Sequence, residues 1–80
     1  MPYVTVERRA ALAEGEPIQG PGDLNYLITL LLKKYWVNSA RRYQDINDIL
    51  GALEGAKAEF YRRVAVPYEE QKIQQNGEVW

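Results

Sequence analysis

The stretch "GALEGAKAEF", residues 51–60, lies inside the longest helical pattern of the chain and carries glycines at 51 and 55. A glycine in a helix interior costs roughly 0.5–1 kcal/mol relative to alanine. Something offsets that cost: a closely packed neighbour, a ligand against bare backbone, or simple tolerance of the weakness. Around this stretch the spacing predicts a helix from Tyr43 to about Val66. Ile46, Ile49, Leu50, Leu53, Phe60 and Val64 recur at helical intervals and fall within one arc, the core stripe. The same arithmetic sets Gly51, Gly55, Ala58 and Arg62 on the opposite face, flanked by Asp48 and Glu59. The glycines therefore clear a flat strip away from the core side. A second helix, or a flat ligand, can lie close against such a strip.

Upstream, "DLNYLITLLLKKYWV" predicts a helix over 23–37, with Leu24, Leu27, Ile28, Leu31 and Tyr35 on one face. Leu30, Leu32 and Trp36 widen the apolar surface beyond that stripe, so the helix is expected to be covered on more than one side. Either another subunit meets Leu30 and Trp36, or the helix is sandwiched between the other two. The first segment, "TVERRAALAEG", offers Thr5 as N-cap, Glu7 in the first turn and Gly15 as a stop. Its apolar stripe (Val6, Ala10, Ala13) is weak, with Leu12 off to one side. Between these helices "EGEPIQGPGD" packs three glycines and two prolines into ten residues, a connector or a lid.

Downstream, Pro67 interrupts the long helix, kinking it or opening a new one, and "PYEEQKIQQNG" fits a final helical segment ending at Gly77. The ends, "YVTV" at 3–6 and "EVW" at 78–80, are β-branched or aromatic and short. They are expected to pair as a small ribbon within one chain or between chains, with Trp80 docked on something apolar. The fold class expected is all-α: a single domain over residues 1–80 of three to four helices, with short extended termini.

Length and composition restrict the partners. An 80-residue chain buries only about 60% of its unfolded surface and is marginal alone. With no Cys and no His, disulfides and the common zinc sites are absent, which leaves a homo-oligomer as the expected remedy. Ten basic residues against eleven acidic ones argue against generic nucleic-acid binding. The start lacks the apolar stretch of a signal peptide. The longest apolar run, "YLITLLL" at 26–32, is far shorter than the roughly 20 residues a membrane span needs. The expectation is a cytoplasmic protein with no membrane partner.

The chemistry-bearing residues point to binding. The commonest general base and the strongest nucleophile are missing, and the acidic pairs Asp45/Asp48 and Glu69/Glu70 read as solvated. "GPGD" lacks the Lys and Ser/Thr of a phosphate loop. No enzyme, cofactor or metal is therefore expected. Two arginine pairs stand beside aromatics: Arg41 and Arg42 next to Tyr43, and Arg62 and Arg63 next to Tyr61. Guanidinium forks grip phosphate and tyrosine faces stack on bases, so these six residues suit a small anionic ligand such as a nucleotide. The plainer reading pairs Arg62 and Arg63 with Glu59 at i+3 and i+4, near a helix C-terminus.

The segments "GDLNYLIT" and "INDILGALEGAKAEFYRRVAVPYEEQKIQQNGEV", with the opening "MPYV", resemble a family of short uncharacterised proteins of phage and prophage genomes, over residues 1–6 and 22–79. The "GALEGAK-EFYRR" and "PYE--KI--NG" blocks carry the resemblance. It implies a phage accessory protein in the host cytoplasm and assigns no residue a role. One class of such proteins is the oligomeric sponge that sequesters a (cyclic) nucleotide immune signal, a counter-defence device. Another binds a host protein as adaptor or inhibitor.

Overall fold

The computed structural model describes residues 4–80, and the fold is all-α. Helices α1 (Val6–Ala13), α2 (Pro21–Asn38) and α3 (Tyr43–Phe60) are followed by a π turn, Tyr61–Ala65, and by α4 (Val66–Asn76). The chain divides into two units, Met1–Asp45 and Ile46–Trp80. Among the described residues there is no strand, and no helix is long and apolar enough to cross a membrane.

In the first unit, α1 starts where the Thr5 hydroxyl accepts the Arg8 amide, 3.1 Å away. It stops at Gly15, whose φ of +92° is left-handed. The Gly15 amide donates to the Leu12 carbonyl and the Glu16 amide to that of Ala11, the paired bonds of a Schellman ending. Leu12, 5% exposed, is the buried apolar residue of the described chain, whereas Val6 is largely exposed. This corrects the weak stripe expected through Val6, Ala10 and Ala13. The inward face is Arg8, Ala11 and Leu12, one turn of i, i+3, i+4 spacing. Helix α2 begins two residues before the expected Asp23, because Pro21 has its φ fixed for the first helical turn and gives up a donor no helix would use.

In the second unit, α3 from Ile46 onward, the π turn and α4 follow one another with no loop between them, and Pro67 leaves one donor out of the helical ladder. The cause of the π turn is Pro67. In a regular helix its ring clashes with the carbonyl four residues back. Widening the preceding turn removes the clash: the Val66 amide donates to Tyr61, five residues back. On an uninterrupted helix at about 100° per residue, Ile73 stands opposite Ile46. One inserted residue returns it to within about 80° of Ile46, so the π turn extends the apolar face into α4. It also brings Tyr61 and Glu69, eight residues apart, onto one side, where the phenol donates to the carboxylate over 2.9 Å.

The termini depart from expectation. Val6 is helical because Thr5 caps it, and Tyr3 lies outside the described residues. At the other end Gly77, left-handed at φ +87°, closes α4. The Glu78 carboxylate then accepts the amides of Val79 and Trp80 at 3.0 and 3.3 Å, which holds the tail as a local turn instead of a strand. Trp80 is 107% exposed within the chain, not docked.

The glycines separate cleanly by role. A Cβ built at Gly51 or Gly55 meets nothing within 4 Å, and neither has a positive φ, whereas Gly15 is left-handed. Gly15→Ala should therefore destabilise the first unit by about 1–2 kcal/mol. Gly51→Ala and Gly55→Ala should each stabilise α3 by roughly 0.5–1 kcal/mol. Urea melts of the three variants followed by circular dichroism check both signs.

Candidate functional site

The most connected polar group lies in the first unit and was not singled out by sequence reasoning. The Arg8 guanidinium donates to Asp23 Oδ2 from Nε at 3.0 Å and from a terminal nitrogen at 2.6 Å. It also reaches Glu16 Oε2 at 3.1 Å and the Pro17 carbonyl at 2.7 Å. The same Asp23 oxygen accepts the Gln19 amide at 3.0 Å. One arginine on α1 thus fastens the breaker-rich segment to the first turn of α2, which makes that segment a pinned connector. The signal available in the sequence was an acid in the first turn after Gly20-Pro21, where a carboxylate is favoured; its partner fifteen residues earlier had no local signature.

Electrostatics follow the geometry. The Arg8 hydrogen bond holds the Asp23 carboxyl below the usual carboxylate range, the Gln19 amide adds to this, and partial desolvation opposes it. Arg8 is raised in turn, chiefly by its hydrogen bond to Asp23.

Arg41, Arg42 and Tyr43 belong to the first unit, the arginines on the turn between α2 and α3 and Tyr43 at the first position of α3. Arg41 is left-handed, φ 58°, an uncommon conformation for a residue with a side chain. Its amide donates to Ser39 Oγ at 3.1 Å, and that hydroxyl donates to the Trp36 carbonyl at 2.7 Å. The Arg42 amide donates to Asp45 Oδ2 at 3.1 Å, half of a capping box that starts α3. All three side chains are exposed. Beside them a shallow hollow of about 530 Å³ is lined by Lys34, Tyr35, Asn38, Ser39 and Asp45. Leu30 and Trp36 on α2 are half-buried. Leu30 lines an apolar groove of about 550 Å³ with Ile18, Leu24, Leu27, Ile28 and Leu31.

Tyr61, Arg62 and Arg63 belong to the second unit. Glu59 bridges both arginines: Arg62 donates to Oε2, and Arg63 Nε to Oε1 at 2.8 Å. The plainer reading of this pair is thus the arrangement present, and a phosphate placed here competes with a carboxylate already seated. The bond to Glu69 raises the Tyr61 phenol above its ordinary pKa. Gly51, Gly55 and Ala58 are open to solvent in the chain. Among the described residues no three acidic side chains converge on a metal position.

The largest feature of the second unit is apolar. Leu50 is 58% exposed, Phe60 65% and Val64 50%, with Ile46 and Leu53 also exposed. These are the residues that sequence reasoning assigned to a core. Each has roughly half of its burial free energy, on the order of 1 kcal/mol per side chain, still to gain.

The Asp23 contact yields a pH dependence with a definite sign. A lowered folded-state pKa means stability fully present above the unfolded carboxylate value, about 4, and lost as pH falls through the folded value below it. Asp23→Asn should therefore destabilise the first unit at pH 7, and the difference from wild type should shrink as pH falls below the ordinary carboxylate range, about 4. Thermal melts of the pair across pH 2–7 measure it.

Comparison with known proteins adds a family and no activity. No curated protein and no solved structure gives a significant match. A family model, described as Domain of unknown function (DUF6899), matches residues 1–79. The chain, matched over nearly its whole length, belongs to that family.

Proposed function

We propose that this chain acts by binding and not by catalysis, as a helical protein-interaction module whose working surface is the apolar face of α3 and the π turn. The observation that carries this is the exposure of Leu50, Phe60 and Val64 along one side of a helix with no second helix of its own unit against it. Helices draw most of their stability from packing an amphipathic face, so a helix standing with that face open is built to be covered by another polypeptide. In a phage accessory protein, that role is an adaptor for, or an inhibitor of, a host protein.

The test is co-expression of tagged and untagged chain followed by affinity capture and mass spectrometry. A partner, foreign or a second copy, should be retained by the wild type and lost from Leu50→Asp and Phe60→Asp. Glu70→Lys, a charge change in α4, should keep it. Identical captures from all four baits contradict the reading.

A second reading has one specific observation behind it. Arg41 holds a left-handed backbone, worth about 1–3 kcal/mol of strain, on an exposed turn with Arg42 and Tyr43. Strain of that kind accumulates at ligand clamps, and a small anion such as a nucleotide suits two guanidinium groups beside a tyrosine face. A sponge for a nucleotide signal would use this turn before Arg62 and Arg63, which Glu59 already occupies. Native mass spectrometry against linear and cyclic nucleotides should show a discrete adduct that Arg41→Ala,Arg42→Ala loses. No adduct from any of them contradicts it.

A further inference from the structure

We propose that the face made by Ile46, Leu50, Leu53, Lys57, Phe60 and Val64 is covered by the same face of a second copy of this chain, running antiparallel about a two-fold axis level with Gly55. This rests on the reading of that face as a protein-binding surface and adds its occupant.

Three observations select a second copy. The first is spacing. Five of the six residues follow one another along α3 at intervals of 4, 3, 4 and 3, the seam of a heptad repeat, and Val64 stands four residues further on, in the π turn. The seam is symmetric on reversal: 46 with 64, 50 with 60, and 53 with 57 are each centred on 55. Two copies laid antiparallel therefore set Ile46 against Val64, Leu50 against Phe60 and Leu53 against the aliphatic stem of Lys57. Every contact occurs twice, as an isologous interface requires.

The second is charge at the seam. Asp48, Glu59, Arg62 and Arg63 lie on the far face, which leaves Glu54 beside the seam and Lys57 on it. Antiparallel pairing sets Glu54 of one copy within about one residue of the level of Lys57 of the other, whereas parallel pairing sets Lys57 on Lys57 and Glu54 on Glu54. The third is Lys57 itself, the one polar member of the seam. In a parallel pair it meets its own copy. In the antiparallel pair it crosses Leu53, and its ammonium stays beside Glu54, 3.7 Å away within its own chain.

In this arrangement Gly51, Gly55 and Ala58 lie off the seam and face outward, with open space around both glycines, so the proposed contact is on the opposite side from the strip expected at the interface.

The chain has no cysteine, so single engineered thiols report without background. Leu50→Cys and Phe60→Cys are oxidised separately and as a mixture. In the antiparallel register, positions 50 and 60 of opposite copies come within disulfide reach, while two copies of either position stand about 15 Å apart along the axis. The expected result is a cross-linked dimer from the mixture only, with peptide mapping joining 50 to 60. Cross-linking of each variant alone overturns the antiparallel register, and so does a dimeric mixture that forms no cross-link. Ile46→Cys with Val64→Cys repeats the logic at the ends of the seam if the central thiols disturb folding. Sedimentation of the unmodified chain should give a dimer. A monomer at every concentration overturns the second copy, and a foreign partner lost on Phe60→Asp then leaves the interaction reading standing.

Discussion

The second unit is a helix without a core. From Ile46 to Ile73 an apolar face runs along α3, the π turn and α4, and nothing within the unit lies over it. A chain of this length has little interior to spare, and the first unit buries a single apolar side chain among its described residues. A long helix in water holds together through what covers its face. The surroundings of that face are therefore the constraint on which the rest of the structure depends.

Several local features are consistent with that constraint. The π turn admits Pro67 without breaking the helix, and by inserting one residue it turns Ile73 back toward the side of Ile46. Tyr61 and Glu69 tie the widened turn across its length. On the far side Glu59 engages Arg62 and Arg63, keeping those charges off the apolar face. In the first unit the organisation is different: one guanidinium, that of Arg8, joins α1, the proline-rich connector and α2 through a single carboxylate oxygen of Asp23. Polar fastening does there what apolar burial does in larger domains.

Much of the backbone was legible in the sequence because its signals are local. Thr5 and Gly15 bound α1, Tyr43 opens α3 and Gly77 closes α4, each through capping chemistry contained within a few residues. The Glu59 pairing with Arg62 and Arg63 was legible for the same reason, as i+3 and i+4 neighbours. What was not legible depends on distance or on competition between local rules. The Arg8–Asp23 contact spans fifteen residues. The burial of Leu12 carried no signal in the local apolar spacing. Pro67 announced a disturbance, but not that a π turn would absorb it. Trp80 and Val6 looked like strand residues, and Glu78 and Thr5 captured their neighbourhoods first. The apolar stripe itself was read correctly as a stripe. Periodicity identifies a face that must be covered, and it is silent on whether the cover comes from the same chain.

The most direct measurement is the concentration dependence of helicity. Far-ultraviolet circular dichroism and thermal melts, run from tens of nanomolar to hundreds of micromolar, report whether the helix of the second unit depends on association. If a second polypeptide covers the face from Ile46 to Val64, the melting midpoint rises with concentration and helical signal falls on dilution. A midpoint and helicity unchanged across that range would contradict it, because the helix would then stand with its apolar face open to water.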